Sequence, residues 1–362
     1  MSSEIFVINP GSTSTKIAWF DGDRERWSET VRHDPSRIAS FPSTVAQYRF
    51  RMDTIEDAVQ TKGYSLDSLD IVVGRGGIVD PIPGGTYSVD QALLQRLRSG
   101  KPWDHASNLG GIIAEAIASP RGIPAVIVDP VSVDELDDVV RLSGLPELPR
   151  ISLNHALNVK ATVRKAARDL EKDWRKTRFV VAHIGGGLSV CALRNGRLAE
   201  FYSGNDGGPF SPERAGGLPA EGLMSLCFDG STDLPSLKKR LVGQGGVMAY
   251  LGTSDMRTVS ERARSGDDKA RLVWKSLVFQ IAGAIGAMAV FLEGRLDGIL
   301  FTGGVVYDEN FVASIQKKVQ WIAPCFIYPG EGEMEALAQG AFRVLKGQER
   351  PLSYGDTVRG ER

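Results

Sequence analysis

The sequence predicts an α/β protein made of two duplicated domains with a cleft between them, and three observations predict it. At 362 residues the chain exceeds what one small hydrophobic core organises. Two strand–turn–strand units recur along it at one spacing. Between them, apolar strands ending in glycine or charged residues alternate with stretches of helical period, the pattern of open sheets that bind ligands at their carboxyl ends.

The first unit reads "IFVINPGSTSTKIAWFDGD", residues 5–23: an apolar strand, a Ser/Thr-rich turn, a second strand and a D-G hairpin at Asp21-Gly22. The second reads "FVVAHIGGGLSVCALRNGRLAEF", residues 179–201, with a Gly turn and an N-G hairpin at Asn195-Gly196. Gly185 follows Gly11, and Gly196 follows Gly22, by the same 174 residues, close to half the chain. The first turn is not a Walker A loop, because it lacks the second glycine and a strand rather than a helix follows Lys16. Phosphate held by a hairpin turn in each of two repeats is similar to the superfamily of acetate and sugar kinases, chaperone ATPases and actin. The fold class expected is therefore two duplicated actin-like ATPase (ribonuclease H-like) domains. Residues 1–150 form the first, completed by a C-terminal helix over about 333–350, and residues 151–332 form the second, nucleotide-binding domain.

The remaining elements follow in order. "LDIVVGRGG" and "IPAVIVDP" read as strands that end at Arg75 and Asp129, and "LDGILFTGGVV" as a strand running into Gly303-Gly304, where a nucleoside can lie against backbone. "HASNLGGIIAEAIA" and "LNHALNVKATVRKAARDL" carry a helical period. "LVFQIAGAIGAMAVFL" is short for a membrane span and contains Gln280. Its small residues Gly283, Ala284, Gly286 and Ala287 predict a buried helix packed closely against a sheet. The polar tail "RPLSYGDTVRGER" is expected to fray.

Composition narrows the function. Lys and Arg, 43, balance Asp and Glu, 44, so no electrostatic case exists for a nucleic-acid partner. Three dispersed cysteines without CxxC spacing, and no basic-then-apolar segment before the first strand, lead us to expect a reducing, cytoplasmic setting and no membrane partner. With four histidines and neither HExxH nor G-x-S-x-G, zinc hydrolysis and serine-nucleophile chemistry lack their parts.

Arg75 in "VGRGGIVDPIPGG" and Arg214 in "DGGPFSPERAGGLP" sit in Gly/Pro-rich loops. A guanidinium fork there suits a carboxylate or a transferring phosphoryl group; a surface ion pair is the plainer reading of either alone. His155 and His183 read equally as core histidines, although His183 occupies the repeat position of Asn9. Lys16 is either a strand lysine or a phosphate ligand. Asp129 either caps the segment "SVDEL" or sits near Mg²⁺, and Glu333 and Glu335 complement a helix dipole by default. His105 reads as a helix start and His33 as solvated.

"INPGSTSTKIA", "GRGGIVDPIPGGTY", "HASNLG", "HIGGGLSV", "DGGPFSPERAGGLP" and "YPGEGEMEALAQGA" together resemble the butyrate and branched-chain carboxylate kinases of the acetate kinase family, over nearly the whole chain. The resemblance implies ATP and a short-chain carboxylate giving ADP and an acyl phosphate, reversibly and with Mg²⁺, in a homodimer or higher homo-oligomer. By similarity Asn9, Ser12, Ser14 and Lys16 line the phosphate hairpin, and Asn9 and Glu333 place the metal. Arg75, Asp129, His155 and Arg214 match the active-site set. His183 with Gly185, Gly186 and Gly187 matches the second phosphate loop, and Asp255, Met256, Arg257, Gly303 and Gly304 match nucleotide-site stretches.

A carboxylate nucleophile is ionised at neutral pH, so direct in-line transfer needs cations and aligned amides rather than a base. Where acetate kinases read "HRVVHGG", Gly76 and Gly77 stand here, and the lost side chain is expected to open an acyl pocket for butyrate. An acetate or propionate kinase is the alternative enzyme. A nucleotide-switch protein on the same fold is the non-catalytic alternative, disfavoured by the two loop arginines.

Overall fold

The computed structural model describes residues 2–205 and 207–359. The chain divides into two compact units, Met1–Asp134 with Gly332–Arg362, and Glu135–Glu331.

The first unit is built on a six-stranded mixed sheet in the order β3-β2-β1-β4-β6-β5. Its strands are β1 (Glu4–Pro10), β2 (Ser14–Asp21), β3 (Arg24–Arg32), β4 (Ile71–Arg75), β5 (Thr86–Ser88) and β6 (Ala125–Val128). The central strands are continuous apolar runs because both faces are covered: Ile5, Phe6, Val7 and Ile8 are all fully buried. The helix Asn108–Ala118 lies so close to β4 that a Cβ on Gly74 would stand 2.1 Å from the Gly110 carbonyl oxygen. One on Gly110 would stand 2.3 Å from that of Arg75. Backbone-to-backbone packing of this kind requires glycine on both sides, and it fixes the strand end that carries Arg75.

Gly332–Arg362 returns to this first unit. The helix Glu333–Leu345 packs on β1, β4 and β6, with Gly340 against Val128. The tail is not frayed up to residue 359: the Leu352 amide donates to Thr86 O at 2.8 Å, and Tyr354 is buried with its hydroxyl donating to Asp80. An apolar tyrosine ring seated on the core outweighs the polarity of its neighbours.

The second unit holds a five-stranded sheet, order β11-β10-β7-β8-β9. Its strands are β7 (Arg178–Ile184), β8 (Leu188–Arg194), β9 (Arg197–Ser203), β10 (Gly298–Gly303) and β11 (Cys325–Pro329). Both sheets thus contain an antiparallel three-strand meander whose first strand continues into parallel partners, and β7 starts 174 residues after β1.

Two expectations change here. Residues 135–150 belong to the second unit, because Glu135 binds Lys160 Nζ at 2.8 Å and Arg150 binds Glu200 at 3.0 Å. The long helix Asp268–Phe291 is long and apolar enough to cross a bilayer, yet Leu277, Ile281, Ile285 and Met288 sit in the core against β7 and β8. Its glycines are not the close-packed face: nothing lies within 4 Å of a Cβ at Gly283 or Gly286. Branched and long side chains, which bury more area than glycine, took the sheet side instead.

Candidate functional site

In the first unit the turn from Pro10 to Thr15 joins β1 to β2, with Asn9 paired to Lys16 in register. The Gly11 amide closes it by donating to Ser14 O at 2.7 Å. Ser12 and Lys16 are exposed and Ser14 is half-buried, so the turn presents polar groups outward from a buried strand pair.

Asn9, Arg75 and Glu333 converge. Asn9 Nδ2 donates to Glu333 Oε2 at 2.7 Å, and the Arg75 guanidinium pairs with Glu333 Oε1. Glu333 is the first residue of its helix, so its carboxylate also faces the positive end of the helix dipole. Among the described residues no three His, Cys, Asp or Glu side chains form a metal cage. One carboxylate beside one amide fits Mg²⁺ that arrives with nucleotide phosphates, since that ion keeps water and phosphate ligands and needs few from protein.

Asp129 neither caps a helix nor lies open. It is 1% exposed with φ of 37°, and its Oδ1 accepts the Gly85 amide at 2.8 Å while its own amide donates to Gly85 O at 2.9 Å. No helix forms over "SVDEL", so that cap has nothing to serve.

The acyl-pocket expectation for Gly76 and Gly77 is corrected. A Cβ on Gly76 would stand 2.5 Å from Pro130 Cβ, and one on Gly77 2.4 Å from Asn108 Oδ1 and 2.6 Å from Leu97 Cδ2. Protein fills both positions, so neither glycine leaves room for methylenes. Asn108 instead holds this loop, accepting the Ile78 amide at 2.8 Å, and Ser132 Oγ accepts that of Val79 at 2.8 Å.

In the second unit the tighter turn Gly185–Gly187 joins β7 to β8, closed by Gly185 N donating to Gly187 O at 2.9 Å. His155, just before the helix Ala156–Asp169, stacks on His183 with ring centroids 4.1 Å apart and planes 17° apart. Each ring is fixed by its Nδ1, His155 against Ser189 Oγ at 2.9 Å and His183 against Asn158 Oδ1 at 2.7 Å.

Arg214 reaches the same turn. A Cβ on Gly187 would stand 2.9 Å from the Arg214 guanidinium carbon and 3.0 Å from His155 Cε1. Ser211 ties the arginine loop to the turn, donating to Gly186 O at 2.8 Å and accepting the Arg214 amide at 3.1 Å. Burial lowers the pKa of Arg214, opposed by the nearby Glu213. Among the described residues no carboxylate forms a salt bridge with it. A cation and an imidazole thus meet at a bare glycine turn, with the buried His183 ring stacked on that of His155.

A cavity of about 530 Å³ beside that turn is lined by Gly185, Gly186, Asp255, Met256, Arg257, Gly304, Tyr307 and Glu331, among others. Six of the residues expected at a nucleotide site are therefore brought together. Gly303 does not line it; its φ of 101° and mutual hydrogen bonds with Gly330 turn the chain out of β10. Asp255 also caps the helix Met256–Arg264, accepting the Arg257 amide at 3.0 Å.

Two buried residues carry structure that the sequence reading missed. Arg51, on the helix Tyr48–Thr61, is fully buried behind the first turn. Burial pushes its guanidinium down to about 10, so it stays charged at neutral pH. His33, expected in solvent, is 5% exposed and its Nε2 lies 2.9 Å from Thr15 Oγ1. Burial first, and the Arg51 charge second, hold it down to about 4.

Comparison with known proteins places these features. Residues 154–322 match the model of the acetokinase family. The chain is 49% identical to a "Probable butyrate kinase" of Coprothermobacter proteolyticus, covering 98% of this chain and 100% of that one. It is 46% identical to "Butyrate kinase 2" of Clostridium acetobutylicum at the same coverage. Among solved structures, the acetate kinase of Porphyromonas gingivalis superposes with a TM-score of 0.77 at 18% identity, covering 94% of this chain and all of that one. A propionate kinase from Francisella tularensis gives 0.75 at 18%, covering 93% and 98%. These likenesses show the two-domain actin-like ATPase fold. With full-length identity of 49% to a curated relative, the chain belongs to the acetokinase family of carboxylate kinases.

Proposed function

We propose that the protein transfers the γ-phosphoryl group of ATP reversibly to the carboxylate of butyrate or a branched short-chain acid, by direct in-line attack. The observation that carries the chemistry is the Arg214 guanidinium held against the bare Gly187 beside His155, in no salt bridge among the described residues although Glu213 lies nearby. The acyl preference rests on the relatives named butyrate kinases, now that Gly76 and Gly77 supply no space.

The acceptor carboxylate is already ionised, so no base is required; the barrier lies in bringing two anions together. Arg214 and Arg75 offset charge on the phosphoryl oxygens, and an arginine in this role is worth on the order of 10³–10⁵ in rate. His155, fixed by Ser189, donates to the transferring group, and His183 supports it by stacking. The Gly185–Gly187 turn and the Pro10–Thr15 turn offer amides to phosphates, Lys16 and Ser12 adding side-chain donors. Asp255, Met256, Arg257 and Gly304 line the nucleoside cavity. Asp129 keeps its place in the active-site set, with its Oδ1 also ordering the loop carrying Gly85. Glu333 and Asn9 would hold Mg²⁺ arriving with ATP, and the ion would supply positive charge against the phosphates.

A homodimer or higher oligomer in the cytoplasm fits this reading. Leu272, Phe279 and Val290 stand exposed on the long helix near open Gly283 and Gly286, and light scattering in solution tests the state. The function is tested by trapping acyl phosphate with hydroxylamine and comparing kcat/KM for acetate, propionate, butyrate and isobutyrate. A butyrate or isobutyrate optimum and inversion at the γ-phosphorus are expected. An acetate optimum would make it an acetate kinase, and no product at all would overturn the activity.

A further inference from the structure

Arg51 spends every N–H of its guanidinium, and most of them go to the first turn. Nη1 donates to Gly11 O at 2.8 Å, Ser14 O at 3.0 Å and Thr15 Oγ1 at 3.1 Å, and Nη2 to Ser12 O at 3.0 Å. Gln47 Oε1 takes Nε at 3.0 Å and Nη2 at 2.8 Å. Among the described residues no carboxylate joins this set. A fully buried guanidinium whose partners are all neutral is a costly arrangement for stability alone, because desolvation is offset only by carbonyl and amide dipoles.

The peptide geometry gives it a use. In a trans peptide the C=O of one residue and the N–H of the next point to opposite sides. Drawing the Gly11 and Ser12 carbonyls inward onto Arg51 therefore turns the Ser12 and Thr13 amides outward, where both residues are exposed. The turn becomes a pair of aligned donors with a fixed positive charge one peptide layer behind them, the arrangement that binds phosphate oxygens. Thr15 Oγ1, held by both Arg51 and His33 Nε2, locks the far end.

We infer that Arg51 is a positioning residue for nucleotide binding, which sets the peptide planes of the Pro10–Thr15 turn and backs them with charge without touching ATP. This rests on the assignment of that turn to nucleotide phosphates, so Lys16→Ala is carried as the control for the assignment itself.

In the full-length enzyme, Arg51→Met is expected to raise the KM for ATP about tenfold or more, the loss of charge-assisted hydrogen bonding. The KM for the carboxylate should stay within about twofold, since the defect lies on the phosphate side. Hydrogen exchange of the amides at 11–15 should quicken while those of β4 and β6 keep their protection. Arg51→Lys keeps the charge without the fork and should recover part of the ATP affinity; it carries the same comparison if the methionine variant does not fold. A folded variant with lower Tm and unchanged KM for ATP, while Lys16→Ala raises it, would make Arg51 a stability residue only. If neither substitution moves the KM for ATP, the turn is not the phosphate site and the inference falls with that assignment.

Discussion

The Arg75 guanidinium pairs with the Glu333 carboxylate across 258 residues of sequence, and Asn9 holds the other oxygen of the same group. A strand end, a second strand end and a helix start are thereby tied at one carboxylate. Glu333→Gln keeps one acceptor oxygen, puts an N–H donor where the other stood, and removes the charge proposed to place Mg²⁺. We expect kcat to fall about 10²-fold and the Mg²⁺ concentration for half-maximal rate to rise, read from a metal titration at fixed ATP. Chelation should abolish the activity of the native enzyme, and an unchanged Mg²⁺ dependence in the variant would remove Glu333 from the metal site.

Arg214 is a half-buried cation beside the Gly185–Gly187 turn. Arg214→Ala should lower kcat by on the order of 10³-fold or more, with a smaller change in the KM for ATP, because transition-state charge is what it meets. Arg214→Lys should recover little, since an ammonium lacks the planar fork. Steady-state kinetics on protein with native thermal unfolding checks both; a wild-type kcat in the alanine variant would exclude the role.

Gly187→Ala tests the space rather than the backbone, because Gly187 is not among the positive-φ residues. The new methyl would stand 2.9 Å from the Arg214 guanidinium carbon and 3.0 Å from His155 Cε1, so one of them must move. Displacement of a positioned group by about 1 Å can cost roughly 10²-fold in rate. We expect a drop of that order in kcat with near-native circular dichroism, and a kcat within about twofold of native would show that these groups need not converge there.

Much of this was legible because backbone geometry writes itself into spacing. The 174-residue echo of the turns survives as β7 after β1, since a hairpin register tolerates no drift. Glycine is less legible. Gly76 and Gly77 read as missing bulk, but a glycine whose Cβ position is already occupied is a packing site, and one sequence does not separate the two cases. Arg51 does carry a signal in the sequence: it shares the stripe of Ile55 and Val59 at four-residue intervals, all buried. An arginine on an apolar helix face needs buried acceptors, and here the carbonyls of a tight turn supply them. His33 carries no such signal, because β3, which ends just before it, is largely exposed and its burial comes from Phe50 and the first turn.

His33 makes stability depend on mild acid. Its folded pKa, about 4, lies below the ordinary value of 6.5, so the folded protein holds this imidazole neutral where the unfolded chain protonates it. Between those values the unfolded state binds more protons and stability rises with pH. The contribution is fully present above about 6.5 and falls away as pH drops toward 4, below which both states are protonated. The full shift corresponds to about 3 kcal/mol for a group this buried. Urea unfolding at pH 5 and pH 7 should show a larger loss on acidification for the native protein than for His33→Gln, whose amide can donate to or accept from Thr15 but cannot titrate. Equal losses in both would mean that carboxylates elsewhere, not His33, set the acid limit.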